Sequence, residues 1–289
     1  MTTPRNTLVV SAPAKVNLFL HITGRRDDGY HTLESLLALI DWCDTITLSR
    51  RADGNIARGS PVPGSPESED LALAAARALK AATGTAAGVT IGIAKNIPQG
   101  AGLGGGSSDA ASVLLALNRL WALGLPRSEL AAIGATLGAD VPFFIGGESA
   151  LARGIGELLT PVSLPTLWIV LVVPPVEVAT RVIFAALQLT RIAASAKMDV
   201  FSESYGRNDL EAGVATRFPA VAGAIDALKR VSPAARMTGS GACVFAAFAA
   251  EDDARKALTA LPSGFTGRVV RTLARHPLFA FAYPLGTGS

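Results

Sequence analysis

The stretch from Ile97 to Ala111 constrains this chain more than any other. It packs five glycines (Gly100, Gly102, Gly104, Gly105, Gly106) and two serines (Ser107, Ser108) between a strand pattern and a helix pattern. Before it, Val89, Ile91 and Ile93 alternate with Thr90, Gly92 and Ala94, the period of a strand with one buried face. After it, Val113, Leu114, Leu117, Leu120 and Trp121 share one helical face, and Gly124 and Pro126 supply a stop. Ser107, Ser108 or Asp109 is placed to cap the helix start. Glycines allow a backbone to wrap closely round an anion, and the N–H groups at the following helix start point toward it. The segment therefore reads as a phosphate cradle, with a nucleotide triphosphate as the expected ligand.

Three readings compete for such a loop. No Gly-Lys-Ser/Thr triplet occurs, so the P-loop fails for want of its lysine. A dinucleotide-type G-x-G-x-x-G is present at Gly100, Gly102 and Gly105, but the acidic strand end expected about 20 residues on falls in helix pattern and then Gly124-Leu125-Pro126-Arg127. A plain glycine turn with no ligand is the third reading.

Other segments narrow the choice. Val9 to Leu20 is an extended run with one proline, and it puts Lys15 and Asn17 on one face, where each needs a partner. Gly138-Ala139-Asp140-Val141-Pro142 ends a short helix (Leu130, Ile133, Leu137), with Asp140 in a turn and Pro142 expected to hold the next residues extended. Met237 to Phe245 reads as a glycine turn entering a buried strand.

In this order, Lys15-Val16-Asn17-Leu18, Pro98 to Ala111 and Thr238 to Cys243 resemble the three motifs of the GHMP kinases. Ala12 to Leu18, the triplet Gly29-Tyr30-His31 and Gly138 to Phe144 are similar to the branch that phosphorylates a diphosphocytidyl derivative of methylerythritol in non-mevalonate isoprenoid synthesis. The triplet sets the chain apart from the homoserine and mevalonate branches, which stay as the alternative.

The resemblance implies an α+β fold of two domains, residues 1–160 and 161–289, with the site in the cleft between them. It also implies ATP with Mg²⁺. Asp140 becomes the proton acceptor and Lys15 its charged neighbour. Lys95, Pro98, Gln99, Gly100, Ala101, Gly102, Leu103, Gly104, Gly105, Gly106, Ser107 and Ser108 become nucleotide contacts. Asn17, Tyr30, His31, Asp140, Thr180, Phe184, Gly239 and Ser240 become contacts to the diphosphocytidyl substrate, His31 and Phe184 at its cytosine. Asp70 departs from the family pattern, which has asparagine near the adenine.

Composition bounds the rest. The net charge is +3 and the pI about 9.1, but aromatics are only 6% and no basic run occurs, so nucleic acid is not an expected partner. An RNA-binding module remains the competing class, because the N-terminal domain of these kinases is similar in fold to a domain of a ribosomal protein. Apolar runs such as Leu167 to Val173 are too short to span a membrane, and Met1 to Arg5 lacks the apolar core of a signal peptide. A soluble, cytoplasmic protein, monomer or weak homodimer, is expected. Cys43 and Cys243 read as buried thiols, and His21, His31 and His276 are too scattered for a metal site. Arg58 to Asp70 reads as an exposed loop, followed by a helix from Leu71 to Ala82; a helix is also expected near Thr180 to Leu187.

Overall fold

The computed structural model describes residues 6–61, 66–179, 182–183 and 206–282. The expected helix from Thr180 to Leu187, and with it Thr180 and Phe184, lies outside the described residues apart from positions 182 and 183.

Helices and two sheets share the chain. The first sheet has the order β3-β4-β2-β5-β6, with β1 (Thr7–Arg25) along the other side of the long β2 (His31–Arg51). Its remaining strands are β3 (Ile56–Arg58), β4 (Gly88–Ala94), β5 (Ala150–Arg153) and β6 (Leu158–Pro161). The second sheet is antiparallel in the order β10 (Gly267–Arg271), β7 (Trp168–Val172), β9 (Val244–Phe248), β8 (Arg236–Met237).

The middle of the long hairpin β1–β2 is covered on both faces, so its residues read as nearly continuous apolar runs. Leu36, Ala38 and Ile40 face a core shared with Ile169, Leu171 and Phe245 of the second sheet, whereas Leu37 and Leu39 face the helices. The register shifts between Pro13 and Lys15, where Cys43 and Leu39 are the respective partners. Two additional β2 residues are absorbed there, and beyond the bulge Ile46 and Leu48 take over the helix-facing side.

Helices α1 (Leu71–Thr83) and α2 (Gly105–Leu120) cover the first sheet, and α3 (Arg127–Ala135) and α4 (Val141–Gly146) pack against them. Helix α2 is buried continuously from Ser108 to Asn118, not along one stripe. Alanines and serines on its other sides let α1 and β1 approach, and each fully buried Val or Leu contributes about 1.5–3 kcal/mol. Helices α5 (Glu211–Arg217), α6 (Pro219–Lys229) and α7 (Glu251–Thr259) cover the outer face of the second sheet. After β10 the chain returns to the first unit: Leu273 N donates to Leu39 O, His276 N to Gly147 O, and Leu278 and Ala282 enter the core around α2.

Three local expectations need correction. Helix α2 begins at Gly105 behind Gly104 in the left-handed region, with no side-chain cap; Ser108 is already one turn inside and its hydroxyl donates to Pro13 O at 2.6 Å. Pro142 does not extend the chain but occupies the first turn of α4, where a missing N–H costs nothing. The ends of the Arg58–Asp70 segment are not exposed: Arg58 closes β3, and its guanidinium lies 3.0 Å from the buried Asp70 carboxylate.

Candidate active site

A cavity of about 610 Å³ opens where the glycine segment, the start of α4 and the β8–β9 turn converge. Every residue from Ile97 to Ser107 lines it, together with Lys15, Asn17, Ser35, Arg58, Asp70, Lys95, Asp109, Asp140, Gly239 and Ser240.

The glycine loop is held by its own backbone. Val178 N donates to Gly100 O, Cys243 N to Ala101 O and Lys15 N to Leu103 O, so three separate stretches of chain fix its path. Gly102 has φ +75°, and a Cβ there would lie 2.7 Å from Thr238 O. Gly104 has φ +71°, and a Cβ would meet Phe144 at 3.0 Å and the Lys15 side chain at 3.2 Å. At Gly102 a side chain has no room, at Gly104 it would press on its neighbours, and L residues avoid that φ. The loop delivers the chain into α2, a 16-residue helix whose first N–H groups have no intrahelical acceptor. This arrangement fits a polyphosphate: backbone donors, the positive end of a helix dipole and space kept open by glycine.

Lys95 lies at the wall of this cradle. Its ammonium pairs with the fully buried Asp44 of β2 and, at 2.7 Å, with Asp109 of α2. Asp44 also accepts from Asn96 N at 2.5 Å and Ile97 N at 2.8 Å, so it fastens the strand end from which the glycine loop departs. Burial pushes the Asp109 carboxyl up to about 7, against the pull of Lys95. Burial also opposes the charge on Lys95, yet Asp109 and Asp44 together leave its pKa raised. Of the two serines, Ser107 lines the cavity and Ser108 does not, its hydroxyl being turned to Pro13.

Opposite the cradle, β1 contributes Lys15 and Asn17. Both are buried, and they satisfy each other: Lys15 Nζ donates to Asn17 Oδ1 at 2.6 Å, and Asn17 Nδ2 donates to Ser35 Oγ at 2.8 Å. The Lys15 ammonium is 3.7 Å from the Asp140 carboxylate. Asp140 precedes α4 without capping it, and its side chain is 41% exposed. A carboxylate that is neither consumed by a cap nor sealed from the cavity can accept a proton from a hydroxyl brought to it. Asp70 shows the contrast, since one oxygen caps α1 through Ala72 N and Leu73 N and the other faces Arg58.

Tyr30 and His31 lie at the far end of the β1–β2 hairpin, and neither lines the cavity; Tyr30 is 61% exposed. Burial, then Arg25, lowers the pKa of His31, which keeps the ring neutral at pH 7. Gly239 and Ser240 reach the cavity from the β8–β9 turn. No group of three or more His, Cys, Asp or Glu side chains able to hold a metal occurs among the described residues. Sequence reasoning missed Asp44, Ser35 and Arg58; a carboxylate inside the β2 pattern was the one signal for Asp44.

Comparison with known proteins shows the family of the chain. Residues 70–148 match the GHMP kinases N terminal domain, and residues 183–267 the GHMP kinases C terminal family. A 4-diphosphocytidyl-2-C-methyl-D-erythritol kinase of Cupriavidus metallidurans is 53% identical over 276 residues, 94% of each chain. The protein of that name from Burkholderia multivorans is 53% identical over 281 residues, 94% of this chain and 96% of its own. A crystal structure of 4-(cytidine 5'-diphospho)-2C-methyl-D-erythritol kinase superposes with a TM-score of 0.82 at 34% identity, covering 92% of this chain and 99% of that one. A homoserine kinase from Cytophaga hutchinsonii shares the fold at a TM-score of 0.70 and 17% identity, covering 96% and 97% of the two chains.

Proposed function

Because the chain belongs to the GHMP kinases, with both the N-terminal and the C-terminal regions of that family, we propose that it is their diphosphocytidyl methylerythritol kinase. It transfers the γ-phosphoryl group of ATP to the 2-hydroxyl of 4-diphosphocytidyl-2-C-methyl-D-erythritol, a step of non-mevalonate isoprenoid synthesis. The observation that carries the reading is the placement of the Lys15–Asp140 pair against the glycine cradle in one cavity.

In the proposed reaction the acceptor hydroxyl lies beside Asp140. As its oxygen bonds to the γ-phosphorus, its proton passes to the Asp140 carboxylate and the bond from that phosphorus to the ADP oxygen breaks. Phosphoryl transfer of this kind depends mainly on positioning and on charge. Lys15, held by Asn17, supplies positive charge to the attacking oxygen and the phosphoryl group. The α2 N-terminus and the loop N–H groups hold the polyphosphate. Mg²⁺ would accompany the nucleotide; the phosphates and Ser107, which lines the cavity, would hold it, and it would supply positive charge to the polyphosphate. The cytidine end extends past the cavity mouth to Tyr30 and His31, whose neutral ring offers one donor and one acceptor.

We place the domain boundary at 160/161, at the last residue pair of β6 (Leu158–Pro161) and ahead of β7, which opens the second sheet at Trp168. No helix among the described residues is long and apolar enough to cross a membrane, in keeping with our placement of the chain in the cytoplasm.

The test is a coupled ADP-release assay with the diphosphocytidyl substrate, mevalonate, homoserine, galactose and no acceptor. Turnover is expected with the first alone. Turnover with homoserine or mevalonate and none with the cytidyl compound overturns the substrate assignment; RNA retained on a filter without ATP turnover overturns the enzyme assignment.

A further inference from the structure

Directly behind the reacting residues runs a segment to which the reading above gives no role, Arg207 to Glu211. Its backbone is fastened to β1: Leu20 N donates to Arg207 O, and Asp209 N returns a bond to Leu20 O, both at 2.9 Å. Between these two anchors lies Asn208, buried at 6% exposure. Its amide nitrogen donates to Met237 O and to Gly239 O, each at 2.8 Å, while its oxygen accepts from Leu210 N at 2.9 Å. One carboxamide thus grips both ends of the entry to the β8–β9 turn.

That turn presses on the reacting side chains. Thr238 Oγ1 accepts from Asn17 N at 2.7 Å, and a Cβ at Gly239 would lie 3.2 Å from Asn17 Oδ1. The same Asn17 oxygen holds the Lys15 ammonium at 2.6 Å, and Lys15 faces Asp140 at 3.7 Å. The links from Asn208 through the turn and Asn17 to Lys15 are buried and hydrogen-bonded, so the position of one member limits the next; the last step, Lys15 to Asp140, is a partly exposed ion pair. We infer that Asn208 is a positioning residue for phosphoryl transfer: by holding the Thr238–Gly239 turn against Asn17, it sets where Asn17 keeps the Lys15 ammonium.

The inference rests on the kinase reading, and the glycine cradle provides its internal control. Val178, Cys243 and Lys15 hold the cradle through backbone bonds that do not involve Asn208. Loss of Asn208 is therefore expected to slow the chemical step while sparing nucleotide binding. Asn208→Ala leaves two buried carbonyls without their donor and frees the turn to move. A displacement of about 1 Å at reacting groups costs roughly a hundredfold, so kcat should fall roughly tenfold to a hundredfold, while the Kd of a non-hydrolysable ATP analogue stays within about twofold. Asn17→Ala combined with Asn208→Ala should be no slower than the slower single variant, because one acts through the other.

A folded Asn208→Ala enzyme with kcat within about twofold of the wild type overturns the inference, as do losses that multiply in the double variant. A Kd that weakens in parallel with kcat also overturns it, since that is general loosening. Should Asn208→Ala fail to fold, Thr238→Val and Thr238→Ser answer the same question: valine removes the acceptor for Asn17 N and should slow kcat, and serine should restore it. Equal rates in these two reject the relay. A wild-type enzyme inert toward the diphosphocytidyl substrate would instead refute the kinase reading, leaving this inference without a reaction to act on.

Discussion

The two ends of the cavity are built in different ways. The phosphate end comes from one continuous stretch, Ile97 to Ser107, whose shape is set by glycine φ values and by backbone bonds. The acceptor end is assembled from β1, the start of α4 and the β8–β9 turn, separated by more than two hundred residues of chain between Asn17 and Thr238. A cradle made of backbone tolerates little at its glycines and much at its side chains. A site made of side chains on separate elements depends on every contact that holds those elements together.

Asp140→Asn should produce the largest effect and does most to sharpen this contrast. It keeps shape and removes charge, so kcat should fall by about 10² to 10⁴-fold while the nucleotide Kd, read by calorimetry, stays near wild type. A near-wild-type kcat makes Asp140 a mere turn residue and dissolves the acceptor end as described. Lys15→Ala should be of similar severity, and the double variant no worse than the poorer single.

Gly104→Val attacks the other end. A β-branched side chain at φ +71° both strains the turn and strikes Phe144 and Lys15. Strain of about 1–3 kcal/mol alone corresponds to roughly a fivefold to 150-fold weaker nucleotide affinity if the loop can bind only in its native path. Unchanged ATP affinity in a folded Gly104→Val protein places the cradle elsewhere.

The scaffold under the phosphate end should also respond to pH in two opposed ways. Asp109 keeps its proton up to about pH 7, whereas in the unfolded chain it loses it near 3.8. The folded state then holds more protons across that window, and the Asp109 contribution to stability falls as pH rises. His276, beside Ser112 of α2, is the reverse: burial, then Arg127, lowers its pKa to about 3, so it folds neutral and its contribution is lost as pH falls below 6.5. Denaturant unfolding between pH 4.5 and 7.5 should show a steeper rise of stability with pH in Asp109→Asn and a shallower one in His276→Gln, each by up to about 1.4 kcal/mol per pH unit. Slopes equal to wild type in both variants remove these groups from the scaffold account.

His31→Ala and Tyr30→Ala should give the smallest effects, a several-fold rise in KM for the diphosphocytidyl substrate with KM for ATP unmoved. Their position outside the cavity predicts edge contacts rather than a sealed pocket. A rise equal for both substrates would assign the hairpin end to general stability.

Much of the phosphate end was legible in the chain alone. Glycine density, the strand before it and the helix after it are local properties, and the helix expected from Leu71 to Ala82 is present as Leu71–Thr83. Lys15 and Asn17 could be placed on one face because a strand alternates every second residue and no bulge falls between them. Spacing could not reveal that the helix-start serines leave the cap to glycine, that Ser108 turns to Pro13, or that Lys95 is already claimed by Asp44, far away on β2. Nor could it show that Asn208 grips a turn thirty residues later. Local backbone preference acts over a few neighbouring residues and is written in their order. The pairing of buried charges and carboxamides is decided only when packing removes water and leaves each polar group to the partners that tertiary structure brings within reach.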